Sequence, residues 1–378
     1  MTQSADTAWI VKQAKSLGFD LCGVVRAEKF PELEYTQEWL ARGYAGEMKY
    51  LQDPRRADPQ NSMQGVRTVI VCLLNYQTAQ PLSVESRVQA DDLEPRAWIS
   101  RYAWGDDYHD VLREKLEALI ALLHRCFSEP FEAKSYVDTG PIQERILAKY
   151  AGLGWLGKNT LLLNSKLGSY FFLGVILTTL DLEPTLGAKE LPPADLCGNC
   201  SQCLDACPTQ AFVEPYVLDA RKCISYLTIE LRGAIPREYR QEMGNHVFGC
   251  DICQDVCPWN RHAPVSSLTQ FQPRALPPTE KNAARNSPAT TGDSLFRPRV
   301  EWLLGLTEAE FQKLVRGSAM KRTKWRGLLR NTCIAAGNSR VARGSATHAR
   351  LCDLLMKLTA CGDPILVESA QWALSRIQ

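Results

Sequence analysis

Apolar positions recur at helical spacing over residues 8–17 and the pattern stops at Gly18, which predicts an amphipathic helix closed by a glycine. Residues 68–74 form a continuous apolar run that suits a buried strand. Residues 108–127 alternate apolar and charged positions with helical spacing, predicting a long surface helix packed on that sheet. The most apolar stretch, residues 167–180, is too short for a membrane span and rich in β-formers, so it reads as a pair of buried strands. Shorter signals give a strand at 135–137, a helix at 142–150 and a strand at 160–163. A proline- and leucine-rich stretch, 182–195, reads as a linker. Residues 261–298 are polar, proline-rich and aperiodic, predicting a long loop with a poorly structured insertion at 282–298. Short helical patterns then follow at 307–315, 325–336, 347–358 and 364–377. They resemble the helical hairpins of α-solenoids, and two such hairpins are too few to stand alone, so they should dock on the rest. The fold class is α+β and multidomain: a mixed α/β region at 1–185, a cysteine-rich segment at 186–262, and a linker with helical repeats at 263–378.

Composition changes this picture little. With 378 residues, 45% hydrophobic and 23% charged, and a net charge of +2, the chain has room for two or three ordinary domains and names no partner. The N-terminus shows no export signal, so a cytoplasmic protein with no membrane association is expected. That compartment decides how the 14 cysteines are read, because a reducing cytosol favours metal ligation over disulfides. Eight of them fall within residues 197–257. The other six, Cys22, Cys72, Cys126, Cys333, Cys352 and Cys361, sit among apolar neighbours and read as small buried hydrophobes.

Cys197, Cys200 and Cys203 are each two residues apart, Cys207 follows after three more, and Pro208 comes next. This is the bacterial ferredoxin run, in which three thiolates hold one 4Fe–4S cluster and the fourth cysteine reaches the other. The reciprocal motif is Cys250, Cys253 and Cys257 followed by Pro258, with Cys223 upstream. The rule pairs Cys197, Cys200 and Cys203 with Cys257, and Cys207, Cys223 and Cys250 with Cys253. Structural zinc usually takes two short pairs with a long spacer and does not need the doubled Cys-Pro ending. The segment is therefore a ferredoxin-like carrier of two clusters, and the large additional domain implies that it passes electrons onward.

Gly152, Gly154 and Gly157 match a dinucleotide fingerprint, and Gly152, Gly157 and Lys158 nearly match a P-loop with Asn159 at the magnesium position. Both motifs need a strand before and a helix after. The predicted order here is reversed, so a helix C-cap turn and a close backbone approach fit better. Asp138 precedes Pro141 and the predicted helix through Glu144 and Arg145; it reads either as a cap, with Thr139 as the other candidate, or as a positioned acid or base. Asp107, Tyr108 and His109 raise the same question at the start of the long helix.

Several long stretches carry a family resemblance: SRYAWGDDYH from Ser100, VDTGPIQERILAKYAGLGWLGKNTLLLN from Val137, GSYFFLG from Gly168, CISYLTIELRGAIP from Cys223 and GCDICQDVCPWN from Gly249. They resemble the epoxyqueuosine reductases, cobalamin-dependent iron–sulfur enzymes of tRNA modification related to the reductive dehalogenases. The resemblance implies a cobalamin-binding catalytic domain, a ferredoxin-like domain and a C-terminal domain of HEAT-like helical repeats that helps hold tRNA. It makes Asp138 the proton donor, with Asp107, His109 and Arg145 in the substrate pocket. It sets Arg56, Tyr108, Lys158, Asn159, Thr160, Ser169, Ser225, Asp251 and Gln254 against the cobalamin. No Asp-x-His-x-x-Gly pattern surrounds any of the five histidines, in keeping with a family whose cobalt takes no protein histidine.

The implied reaction turns an epoxide into an alkene with two electrons and two protons, and an acid is needed because an unprotonated oxide leaves poorly. An external donor, ferredoxin or flavodoxin, would feed the clusters. The basic run Lys321, Arg322, Lys324, Arg326 and Arg330 would position the tRNA backbone while the modified base enters the catalytic pocket. A monomer is expected. The rival readings are a corrinoid reductive dehalogenase and a non-enzymatic electron carrier.

Overall fold

The computed structural model describes residues 3–86, 94–187, 190–276 and 293–377. Its main sheet has the order β1 (Leu21–Arg26), β2 (Thr68–Asn75), β5 (Phe171–Thr178), β4 (Ala133–Tyr136), with every neighbour antiparallel. All eight residues of β2 are buried because it is an inner strand covered on both faces. Ile70, Cys72 and Leu74 point to one face and meet Ile10 and Ala14 of α1 (Gln3–Ser16) together with Leu112, Leu116 and Leu119 of α2 (Tyr108–Cys126). Val69, Val71 and Leu73 point to the other, where Ile146, Leu147 and Ala148 of α3 (Glu144–Tyr150) pack. Alternation across a two-sided core thus produced the unbroken apolar run. Helix α1 ends as expected: Gly18 takes φ +88° while Phe19 N–H donates to Ala14 O and Gly18 N–H to Lys15 O.

Residues 167–180 correct one expectation. They supply a single long strand, β5, after a turn in which Asn164 and Gly168 exchange backbone hydrogen bonds. The strand expected at 160–163 is only Leu162–Leu163, paired with Trp155–Leu156. The helix Pro31–Ala41, started by its proline, carried no strong periodic signal and was not anticipated.

The C-terminal helices α4 (Lys324–Gly337), α5 (Ala346–Thr359) and α6 (Pro364–Ile377) lie close to their predicted bounds. The preceding helix, Glu308–Leu314, is started by a reciprocal capping box between Thr307 and Glu310. These elements dock as expected on a core shared with Trp98, Trp104 and Phe248. There β3 (Trp98–Ile99) and β6 (His246–Phe248) run parallel, joining the N-terminal region to the cysteine-rich segment. Most of the predicted insertion lies outside the described residues. Its far end is anchored: Leu295 is buried and donates its N–H to Arg274 O.

Candidate active site and cysteine centre

Strand β4 delivers Asp138 to a turn where it adopts φ +55°, a left-handed conformation that aspartate tolerates better than most residues. It is no cap: Gln143 occupies the N-cap of α3, and no side chain caps it. The Asp138 carboxylate instead faces the start of α2. Its Oδ2 accepts from Tyr108 Oη at 2.8 Å and lies 3.7 Å from His109 Nε2. Asp107 does cap α2, accepting from His109 N–H at 3.2 Å, and the same Oδ1 meets His109 Nδ1 at 2.7 Å. Lys321 Nζ donates to Asp107 Oδ2, also at 2.7 Å. Tyr108 is held by stacking on Phe172, with ring centroids 4.3 Å apart.

The resulting row is Lys321, Asp107, His109 and Asp138. Burial alone would raise Asp107, but the hydrogen bonds from His109 and Lys321 hold it well below the usual carboxylate range. Burial would lower His109; its hydrogen bond to Asp107 and the nearby Asp138 carboxylate overcome this and lift it to about 9. Asp138 lies in an open cleft, its side chain 64% exposed. The surrounding protein pushes its pKa up, yet the contacts with His109 and Tyr108 dominate and bring it below its ordinary value. Near neutral pH the proton therefore rests on His109, between two carboxylates.

The charge of Asp138 also bears on Tyr50, Tyr102, Glu144 and Arg145, so these groups lie near it. Glu144 is pushed up to about 8, first by burial and then by Asp138, and its Oε1 is buried without a hydrogen-bond partner. Arg145 Nη1 donates to Thr160 O at 2.5 Å. Arg56 donates to Tyr50 O and Ile142 O. Tyr50 escaped the sequence reading because it sits in no motif, and Glu144, within the stretch from Val137, was read only as part of a helix.

Cys197, Cys200, Cys203 and Cys257 line one cavity of about 210 Å³ with Lys158 and Trp259. Burial, then the charges of Cys223, Cys207 and Cys203, push the Cys253 thiol well up, and burial, then Cys223 and Cys253, do the same at Cys250. The cavity-lining thiols and the set around Cys253 adjoin each other, since the charge of Cys203 also bears on Cys253. The glycine loop ties to both: Lys158 Nζ donates to Gly198 O and Cys200 O, and Asn159 Nδ2 to Cys253 O. A Cβ on Gly154 would lie 2.1 Å from Leu163 O, so this glycine serves close packing inside a β-hairpin. No helix follows, and both nucleotide motifs lose their structural context.

Several expected contacts fall elsewhere. Asp251 is buried and accepts from Ser100 Oγ, Trp98 Nε1 and Arg101 N–H. Gln254 Nε2 and Asn260 Nδ2 both donate to buried Ser169 Oγ. These side chains are engaged within the protein, which corrects their expected role as direct cofactor contacts. Ser225 is half-buried, its carbonyl accepting from Thr228 Oγ1. The basic run is also divided. Lys324 is exposed, Arg322 pairs with Glu230, and Arg326 pairs with Asp363 at 2.5 Å. Arg330 is 1% exposed and donates to Leu227 O, Leu231 O and Gly233 O. It is a buried brace and is withdrawn as a nucleic-acid contact. Among the described residues, no helix is long and apolar enough to cross a membrane.

Comparison with known proteins is extensive. Residues 196–260 match the family model for a 4Fe-4S double cluster binding domain, and residues 56–139 match that of epoxyqueuosine reductase QueG. The epoxyqueuosine reductase of Gloeobacter violaceus is 42% identical over 340 residues, spanning 88% of this chain and 96% of its own. That of Pseudomonas aeruginosa is 37% identical over 367 residues, spanning 96% and 92%. A crystal structure of an epoxyqueuosine reductase with an epoxyqueuosine-modified tRNA stem loop superposes with a TM-score of 0.81 at 29% identity, covering 99% of this chain and 90% of that one. The Bacillus subtilis enzyme, solved with its aspartate catalytic loop swung out of the active site, gives 0.79 at 28% identity with the same coverage.

Proposed function

The chain belongs to the epoxyqueuosine reductase family, and from that membership we propose that it reduces epoxyqueuosine to queuosine at the wobble position of tRNA, completing queuosine synthesis. The observation that carries this reading is the row Asp107, His109, Asp138, which keeps a proton in reserve at an open cleft. Cobalamin and two 4Fe–4S clusters are the cofactors. Cys197, Cys200, Cys203 and Cys257 hold one cluster and Cys207, Cys223, Cys250 and Cys253 the other. The raised pKa values of Cys250 and Cys253 suit this role, because buried thiols need a neighbouring cation to ionise.

The cleft suits the amide rim of a corrinoid: Glu144 Oε1 is an acceptor without a partner, and Arg145 and Arg56 are donors. Bound there, cobalamin supplies low-valent cobalt able to attack or reduce the epoxide carbon. Asp138 delivers protons to the departing oxygen, His109 reloads Asp138, and Asp107 keeps His109 oriented. Two electrons and two protons release the oxygen as water. Tyr108, stacked on Phe172, holds the Asp138 carboxylate in register.

The unpaired nucleotide enters the cleft while the C-terminal helices, read as HEAT-like repeats, position the tRNA backbone through Lys324 and its neighbours Arg322 and Arg326. A cytoplasmic monomer served by ferredoxin or flavodoxin completes the reading. The test is anaerobic incubation of cobalamin-loaded protein, a strong reductant and epoxyqueuosine-containing tRNA, followed by mass spectrometry of the nucleosides. Queuosine should form, and Asp138→Asn should lose it. No queuosine from protein with full cobalamin and cluster iron would sink the assignment.

A further inference from the structure

The basic run was read as one phosphate-binding face, yet its first member points away from that role. Lys321 lies in the 3-10 turn Ala319–Thr323, 214 residues downstream of the carboxylate that it meets. That carboxylate, Asp107, is only 1% exposed and makes its other bonds to His109. The residue two before that turn, Gly317, and the separate turn Thr269–Phe271 grip the backbone beside the acid row. Asp107 N–H donates to Gly317 O at 2.8 Å, and Asp106 N–H to Gln270 O at 2.6 Å. Arg274 clamps both sides, donating to Asp106 Oδ1 at 2.6 Å and to Arg316 O at 2.9 Å. A Cβ on Gly105 would fall 2.1 Å from Gln270 O, so the approach is as close as the backbone permits.

We infer that Lys321 is a positioning residue for proton delivery: through Asp107 it fixes the imidazole of His109 beneath Asp138, so that the C-terminal region completes the active site. The inference deepens the proposed reductase reading and rests on it. A buried carboxylate serving one imidazole is best held by a second charge-assisted bond on its free oxygen, and Lys321 supplies that bond with its side chain 61% exposed. Without it Asp107 can rotate, and the imidazole loses its fixed orientation. The arrangement follows the logic of an acid–base triad, in which a buried carboxylate sets the tautomer of a histidine.

Two readings of Lys321 separate cleanly. A residue that positions the acid row acts on kcat, whereas a phosphate contact acts on the KM for tRNA and on the salt dependence of binding. Full-length enzyme loaded with clusters and cobalamin is compared with Lys321→Met and Lys321→Arg. We expect Lys321→Met to lower kcat about ten- to a hundredfold, the range for a lost charge-assisted bond made in the transition state. KM and its salt slope should stay within about twofold, and Lys321→Arg should restore most of kcat. Independently, the far-downfield proton resonance of the His109 Nδ1–H bond should disappear in Lys321→Met and persist in Lys321→Arg. A raised KM with kcat intact, or an unchanged resonance, would overturn the inference. Wild-type protein that turns over no tRNA would instead remove the reductase reading, leaving the resonance to judge the clamp.

Discussion

Asp107→Asn tests the acid row most directly, since it keeps shape and removes the charge that His109 and Lys321 share. In the wild type His109 titrates near 9 against a free value of 6.5. The sign is that of a base raised by folding: the imidazolium is present below that value and lost as pH rises through it. At pH 8 wild-type His109 is therefore about ten to one in favour of the proton, whereas a ring returned to 6.5 would hold it in roughly one molecule in thirty. Activity of Asp107→Asn at pH 8 should fall by up to that ratio, since Asp138 still favours the imidazolium, and recover partly near pH 6, where even an unassisted histidine is largely protonated. The assay is single-turnover formation of queuosine across pH, with nitrogen NMR of His109 in the same protein. Superimposable pH profiles for the two proteins, or a wild-type His109 midpoint close to 6.5, would refute the reasoning.

Arg330→Met should keep volume but leave the carbonyls of Leu227, Leu231 and Gly233 without their donor. The expected loss is on the order of 3–5 kcal/mol in stability, read by thermal melting, with KM for tRNA unchanged in the folded protein. Glu144→Gln should flatten the pH dependence of stability. The native Glu144 carboxyl keeps its proton up to about 8 against an ordinary value of 4.5, so the folded state binds the extra proton and wild-type stability falls as pH rises between those values. Denaturant melts at pH 5 and pH 8.5 should show the variant losing less, and equal losses would remove Glu144 from the buried set. Lys324→Ala should weaken tRNA binding and reduce the slope of log K against log salt by about one counterion, leaving kcat unchanged.

The legible parts of the sequence were those whose signal is local. Cysteine spacing depends on a tight loop, so a double-cluster segment could be read from position alone. Apolar periodicity marked β2, α2 and the last three helices because each buries a face or both faces. The misread stretch, residues 167–180, is apolar throughout, and nothing in an apolar run says where a turn interrupts it. Asp138 carried no periodic signal either. Its role depends on a left-handed turn and on Tyr108 and His109, about thirty residues earlier. The family resemblance supplied that role, while the residues alone favoured a cap. For Arg330 the failure has another origin: a basic residue on a helix looks the same whether its face meets water or three carbonyls.

That last ambiguity bears on how the molecule is put together. The run from Lys321 to Arg330 looks in sequence like a single surface, but the fold distributes it. Lys321 reaches the acid row, Arg322 reaches Glu230 beside the cleft, Arg326 ties α4 to Asp363 before α6, and Arg330 braces the turn after Ile224–Ile229. Arg322 also lies 5.2 Å over the ring of Tyr50, itself within the field of Asp138. The C-terminal helices therefore contact the catalytic cleft by charge at more than one point, and they share a core with β3 and β6. A region that served only as a tRNA handle would need neither connection. Its attachment at the acid row means that whatever displaces the turn Ala319–Thr323 also disturbs Asp107.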